Sequence, residues 1–141
     1  MRLENYFFPI IKVVANPNFD KEDRTAHAKA KIDFSGAYNL VDNGHCQVIL
    51  NISIKPPDEE TQIPYDIELV AVGSLSIPEN ASPEDINQQI PLGGFAILYG
   101  AAREFLLSLT NRGPWPAVQL PIHYFTPDRL GPIPQGDAPN E

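Results

Sequence analysis

A chain of 141 residues, 43% of them apolar and with seven Phe, five Tyr and one Trp, is long enough for one domain with a core of its own. Its formal net charge of −8 disfavours nucleic acid and anionic membrane surfaces as partners. The single cysteine, Cys46, excludes an internal disulfide framework and suits a reducing, cytoplasmic setting.

The first apolar stretch, Tyr6 to Ala15, reads as a strand that ends at Asn16-Pro17. Glu4, Pro9 and Lys12 interrupt it, so no cleaved signal is expected; no run of eighteen apolar residues occurs later, so neither is membrane insertion. After a charged connector at 20–24, alternation becomes strict. Ala26, Ala28, Ala30, Ile32 and Phe34 share one face of a strand, with His27, Lys29, Lys31 and Asp33 on the other. That strand is expected to end near Gly36. A turn at Asp42-Asn43-Gly44 leads into a second, with Cys46, Val48, Leu50, Ile52 and Ile54 facing inward. Pro56-Pro57 and Asp58-Glu59-Glu60 form a loop. A third strand then points Ile67, Leu69, Ala71, Leu75 and Ile77 one way and Asp66, Glu68, Ser74 and Ser76 the other. Three alternating strands joined by polar turns predict an antiparallel meander.

Pro78 to Gly94 reads as a long irregular link, in which Ile86, Ile90 and Leu92 are apolar residues without an element to sit on and Gly93-Gly94 is a flexible entry to a helix. The spacing predicts that helix over Phe95–Arg112. Leu98, Ala102, Phe105 and Leu109 form its apolar stripe, and Ala101, Leu106 and Leu107 widen that stripe. Asn111-Arg112 place a cation in the last turn, Gly113 suits a left-handed cap, and Pro114 stops the helix. A helix apolar around most of its circumference needs cover on more than one side, which points to self-association. Beyond it Val118, Leu120, Ile122 and Tyr124 alternate, with Pro121 marking an edge or isolated extended segment. Pro127, Gly131, Pro132, Pro134 and Pro139 preclude a further lasting helix. This divides the chain into a domain at 1–126 and a Pro-rich, disordered tail at 127–141.

No pattern of catalytic chemistry emerges. His27, His45 and His123 are scattered without metal-ligand spacing. Cys46 lies on the apolar face of a strand, where it acts as a small hydrophobe, and Gly93-Gly94 lacks the lysine of a phosphate-binding loop. Neither enzyme activity, a cofactor nor a metal is expected. Trp115, between two prolines, is either an anchor under the helix C-terminus or part of a binding groove.

Leu98-Tyr99-Gly100-Ala101-Ala102-Arg103-Glu104 followed by Leu109-Thr110-Asn111-Arg112-Gly113-Pro114-Trp115-Pro116 resembles the signature of the SecB export-chaperone family. Val118 to Pro121 is similar to the extended stretch that comes after it there. Glu68 to Ile77 and Ala30 to Phe34 look like two of the family's strands. The resemblance implies an α+β fold: a four-stranded antiparallel sheet, a crossover loop and one long helix. The family's second helix is truncated or absent here, because Gly131-Pro132 stop it. It implies assembly as a homotetramer, a dimer of dimers, with Leu98, Ala102, Arg103, Phe105 and Leu109 at the oligomer interface. It also implies an ATP-independent holdase that binds unfolded or nascent polypeptide, as in protein export. Ile32, Phe34, Ile86, Ile90, Leu92, Trp115, Tyr124 and Phe125 are the candidates for the client groove. Asp66 and Glu68 stand where the family's acidic sheet surface would meet the SecA motor. No acid lies between Ile10 and Asn16, however, so the SecA contact is expected to be weak or absent. Solitary members of the family serve toxin–antitoxin pairs, which makes a dedicated chaperone of an antitoxin or phage client the alternative. From another class, the alternative is a small-ligand-binding or enzymatic α+β domain, which would need convergent polar groups in a pocket.

Overall fold

The computed structural model describes residues 2–20, 22–23, 29–42, 44–123, 125 and 131–132. Four long strands, β1 (Arg2–Ala15), β2 (Lys31–Asp42), β3 (His45–Lys55) and β4 (Tyr65–Ser76), precede a helix, α1 (Ile90–Thr110). A two-residue strand, β5 (Gly131–Pro132), closes the series. The sheet order is β1-β4-β3-β2-β5. β2, β3 and β4 form the expected antiparallel meander, β1 joins it antiparallel to β4, and β5 lies parallel against Ala37 and Tyr38 of β2.

The alternation in sequence becomes an inside and an outside. Cys46, Val48, Leu50, Ile52 and Ile54 of β3, with Ile67, Leu69, Ala71 and Leu75 of β4, are buried under α1. Burial pushes the Cys46 thiol up to about 11, which removes the thiolate needed for reactivity. β1 begins four residues before the expected start and is irregular between Phe7 and Ile10, where Pro9 sits. Proline has no N–H to give the ladder, so a bulge is where a strand tolerates it. Of the predicted face of β2, Ala26 and Ala28 lie outside the described residues; the strand itself starts at Lys31.

The helix differs most from expectation. It starts at Ile90, after a wider helical turn over Asp85–Gln89, so the second half of the supposed irregular link is helical and Gly93-Gly94 lie inside α1. Its buried line is Ile90, Pro91, Gly94, Phe95, Leu98, Tyr99, Ala102, Leu106 and Thr110. The stripe is therefore rotated from the predicted one. Leu106 and Thr110 take the inward places, and Phe105 and Leu109 are half-buried at its flank. Phe105 stacks on Phe8 of β1 with ring centroids 4.8 Å apart.

The helix end also departs from the expected left-handed cap. Asn111 is right-handed, and bonds from Arg112 N–H to Leu109 and from Gly113 N–H to Thr110 taper the last turn. Gly113 is needed for space: a Cβ there would run into the phenol of Tyr65. The segment Asp85–Thr110 is long and apolar enough to cross a membrane by length and composition, but one side of it packs on the sheet of its own chain.

Candidate functional site

The groove begins with β2. Ala30, just before the strand, and Ile32, Phe34 and Tyr38 within it point to the helix side of the sheet, because every second residue of a strand shares a face. Among the described residues no other long strand covers β2 on its outer side, so Ile32 and Phe34 are half-buried at the sheet margin, while Tyr38 is buried.

At the helix N-terminal end, the Tyr38 hydroxyl donates to the Asn87 carbonyl (3.0 Å) and burial raises its pKa. In the middle, Phe34 meets Tyr99 edge-on at 5.2 Å and lies against the His123 ring at 4.7 Å. Phe125 adds contacts to His123 (4.7 Å), Tyr99 (5.7 Å) and Phe95 (5.9 Å). Tilted and edge-on rings at these separations are favourable pairs. Burial raises the Tyr99 hydroxyl, with nearby Arg103 opposing the shift. At the far end lies a cavity of about 320 Å³. It is lined by Ala30 and Ile32, by Ile54, Ile63, Pro64 and Tyr65, and by Val118, Gln119, Leu120 and Pro121. The strip between α1 and the β2 margin is thus apolar, filled in its middle by the His123 and Phe125 rings, with a cavity at one end that has room for a large apolar side chain.

Of the predicted groove residues, the structure brings together Ile32, Phe34 and Phe125. Tyr124 lies outside the described residues. Ile90 is buried in the core and Ile86 packs against it, so both belong to the helix start; Leu92 is half-buried in the first turn of α1. Trp115 takes the anchor role. Its ring N–H donates to the Asn16 carbonyl (2.9 Å), and its ring meets Phe19 at 5.4 Å. The Tyr65 hydroxyl binds the Trp115 N–H (3.1 Å) and fixes the chain after the helix. Sequence reading missed Ile54, Ile63, Tyr65, Tyr99 and Leu120. Only the inward alternation of β3 and β4 hinted at Ile54 and Tyr65.

The predicted oligomer interface changes as well. Leu98 and Ala102 are wholly buried against the chain's own sheet and cannot face a second copy. Arg103 donates to the Leu120 carbonyl (2.6 Å). Phe105 and Leu109 remain partly open beside an exposed Ile97. On the opposite face of the sheet, Asp66 pairs with Lys55 (3.2 Å), and Glu68 stands across from Lys12 of β1. Among the described residues, no group of three His, Cys, Asp or Glu side chains could hold a metal.

No protein-family model matches the chain, and no curated protein matches it in sequence. Solved structures do. The Mycobacterium tuberculosis Rv1957 SecB-like chaperone, in complex with a ChAD peptide from the Rv1956 HigA1 antitoxin, aligns over 88% of this chain and 91% of its own, with a TM-score of 0.62 at 16% identity. A Streptococcus agalactiae protein of unknown function aligns over 85% and 95%, with a TM-score of 0.50 at 15% identity. With four antiparallel strands followed by one long helix, this chain has the fold of the SecB-like chaperones.

Proposed function

We propose that the protein is an ATP-independent holdase that binds extended, unfolded polypeptide in the channel between α1 and β2. The observation that carries this reading is the apolar cavity at the β2 margin, beside the ring cluster around Phe34. A strand edge supplies backbone pairing to any sequence, and loosely shaped apolar pockets accept many side chains. Ile32 and Phe34 would contact the client. Binding the unfolded state lowers its free concentration by mass action, without nucleotide or chemistry. Cofactors and catalytic groups have no part in this scheme, and a cytoplasmic setting fits the lone buried thiol.

Self-association belongs to the same reading. β1 has no partner on its outer edge among the described residues, and Phe7, Ile10, Ile11 and Val14 on it are about half exposed. An apolar, unpaired edge of this length invites pairing with another copy. Together with Phe105, Leu109 and Ile97 on the helix, it supports the homotetramer expected from the sequence.

The solved neighbour with an antitoxin peptide favours a dedicated client of that kind as the second reading. SecA is a weak partner in either reading, since Asp66 is already paired to Lys55. The deciding assay is suppression of aggregation of a chemically unfolded protein without nucleotide, with Phe34→Asp as the comparison. Suppression lost in this variant supports the groove. No suppression by the native chain, with either a general client or an antitoxin, would end the chaperone reading.

A further inference from the structure

After Pro116 the chain turns back along its own helix. The Val118 N–H donates to the Thr110 hydroxyl (2.8 Å), the Leu120 carbonyl accepts from Arg103 Nε (2.6 Å), and the Pro121 carbonyl accepts from the Tyr99 hydroxyl. The Phe125 ring then reaches Phe95. Helix positions 110, 103, 99 and 95 are thus met in descending order by an ascending strap. Its backbone is held by side chains of the helix, and Pro121 lacks the N–H that a continuous ladder would use. A site that grips backbone groups this way is indifferent to the side chains of what it holds.

The strap's hold on the core is thin. Val118 and Leu120 are buried, but Ile122 is 72% exposed, and Gln119 and Pro121 are also open to solvent. The same four residues, Val118 to Pro121, form one wall of the 320 Å³ cavity. Moving the strap would therefore turn a half-closed cavity into an open trough over Ile32, Phe34 and Tyr99.

We propose that Val118–His123 and Phe125 form an internal ligand that occupies the client channel and is displaced when an unfolded polypeptide binds. This rests on the channel being the client site. The strap sets an affinity threshold: the apparent dissociation constant is the intrinsic one divided by the fraction of molecules with the strap released. Segments of low apolar content would fail to displace it, which confines binding to unfolded chains.

The test combines two measurements on the full chain. The probe is a reduced, carboxymethylated, permanently unfolded protein carrying a fluorescein label. In the native chain, saturating probe should speed hydrogen exchange of the Val118 amide, because its bond to Thr110 is lost when the strap leaves. In Tyr99→Phe/Arg103→Met, which removes both side-chain donors to the strap carbonyls, fluorescence anisotropy should show about tenfold tighter binding of the probe. Binding seen only in the variant supports the proposal equally. Slower or unchanged exchange at Val118 in the presence of bound probe would overturn it, as would weaker binding by a folded variant, because the strap would then be a fixed wall. If the variant fails to fold, the exchange measurement on the native chain decides alone. Probe binding by neither folded protein would remove the chaperone reading, and this proposal with it.

Discussion

Gly94 and Gly100 stand six residues apart in the same helix and should respond differently to alanine. Gly94 faces the sheet: a Cβ there would lie 2.6 Å from Leu75 Cδ1 and 3.1 and 3.2 Å from the two methyls of Val48. Leu75 and Val48 are wholly buried, and a β-branched side chain on a strand has little rotational freedom with which to retreat. Alanine gains ~1 kcal/mol over glycine in a helix interior, but overpacking a filled core costs about 1–3 kcal/mol. Gly94→Ala should therefore lie between neutral and ~2 kcal/mol less stable. At Gly100 a Cβ would meet nothing within 4 Å. Gly100→Ala should gain about 0.5–1 kcal/mol from propensity alone. Urea unfolding followed by far-UV circular dichroism, at a concentration where all variants share one oligomeric state, reads both. A Gly94→Ala midpoint raised as much as that of Gly100→Ala would mean the helix stands off the sheet, and would refute the close packing of α1 on β3 and β4.

Thr110 donates to the Leu106 carbonyl (2.6 Å) and accepts from the Val118 N–H. Thr110→Val keeps the shape but strands a buried N–H, and should lower unfolding stability by about 1–3 kcal/mol in the same urea titration. His45 is held between Asp42 (3.0 Å) and Glu4 (3.1 Å), and the hydrogen bond and charge of Asp42, followed by those of Glu4, raise its pKa. The Gly44 N–H and then His45 lower that of Asp42. The His45 contribution is complete below the ordinary histidine value and fades as pH rises through the higher folded one. The Asp42 contribution is lost only in acid. Melting temperature should thus fall from pH 6 towards 8 in the native chain and be flat there in His45→Gln. A native profile without that slope would mean the clamp is not formed. Phe105→Glu should break self-association, seen by light scattering as a drop from about four times 15.6 kDa; an unchanged mass would place the interface elsewhere. Calorimetric titration with SecA at low salt should show weak or no binding, since exposed pairs contribute only ~0–1 kcal/mol each. Submicromolar binding abolished by Asp66→Lys/Glu68→Lys would overturn that expectation.

The strands and their inward faces were legible in the sequence, because alternation is a local property: each residue of β3 and β4 points opposite to its neighbour whatever the sheet packs against. The Pro-Gly-Asn punctuation placed the turns for the same reason. The α+β order, and the likeness of the helix region to the SecB signature, were likewise written in consecutive residues. The direction in which the helix faces was not. With Leu98, Ala101, Ala102, Phe105, Leu106, Leu107 and Leu109 spread around the axis, several stripes are equally apolar. Only the close approach at Gly94 selects the one through Leu106 and Thr110. That choice sends Leu98 and Ala102 into the core and leaves Phe105 at the margin. The two uses of glycine were equally hidden. At 94 and 113 the absent Cβ makes room for Leu75, Val48 and Tyr65, residues 19 to 48 positions away in the chain. The channel, too, exists only in three dimensions. Ile32, Tyr65, Tyr99 and Leu120 come from four separate segments, and the side chains that hold the strap bind backbone carbonyls, which every residue has and no pattern of residue types reveals.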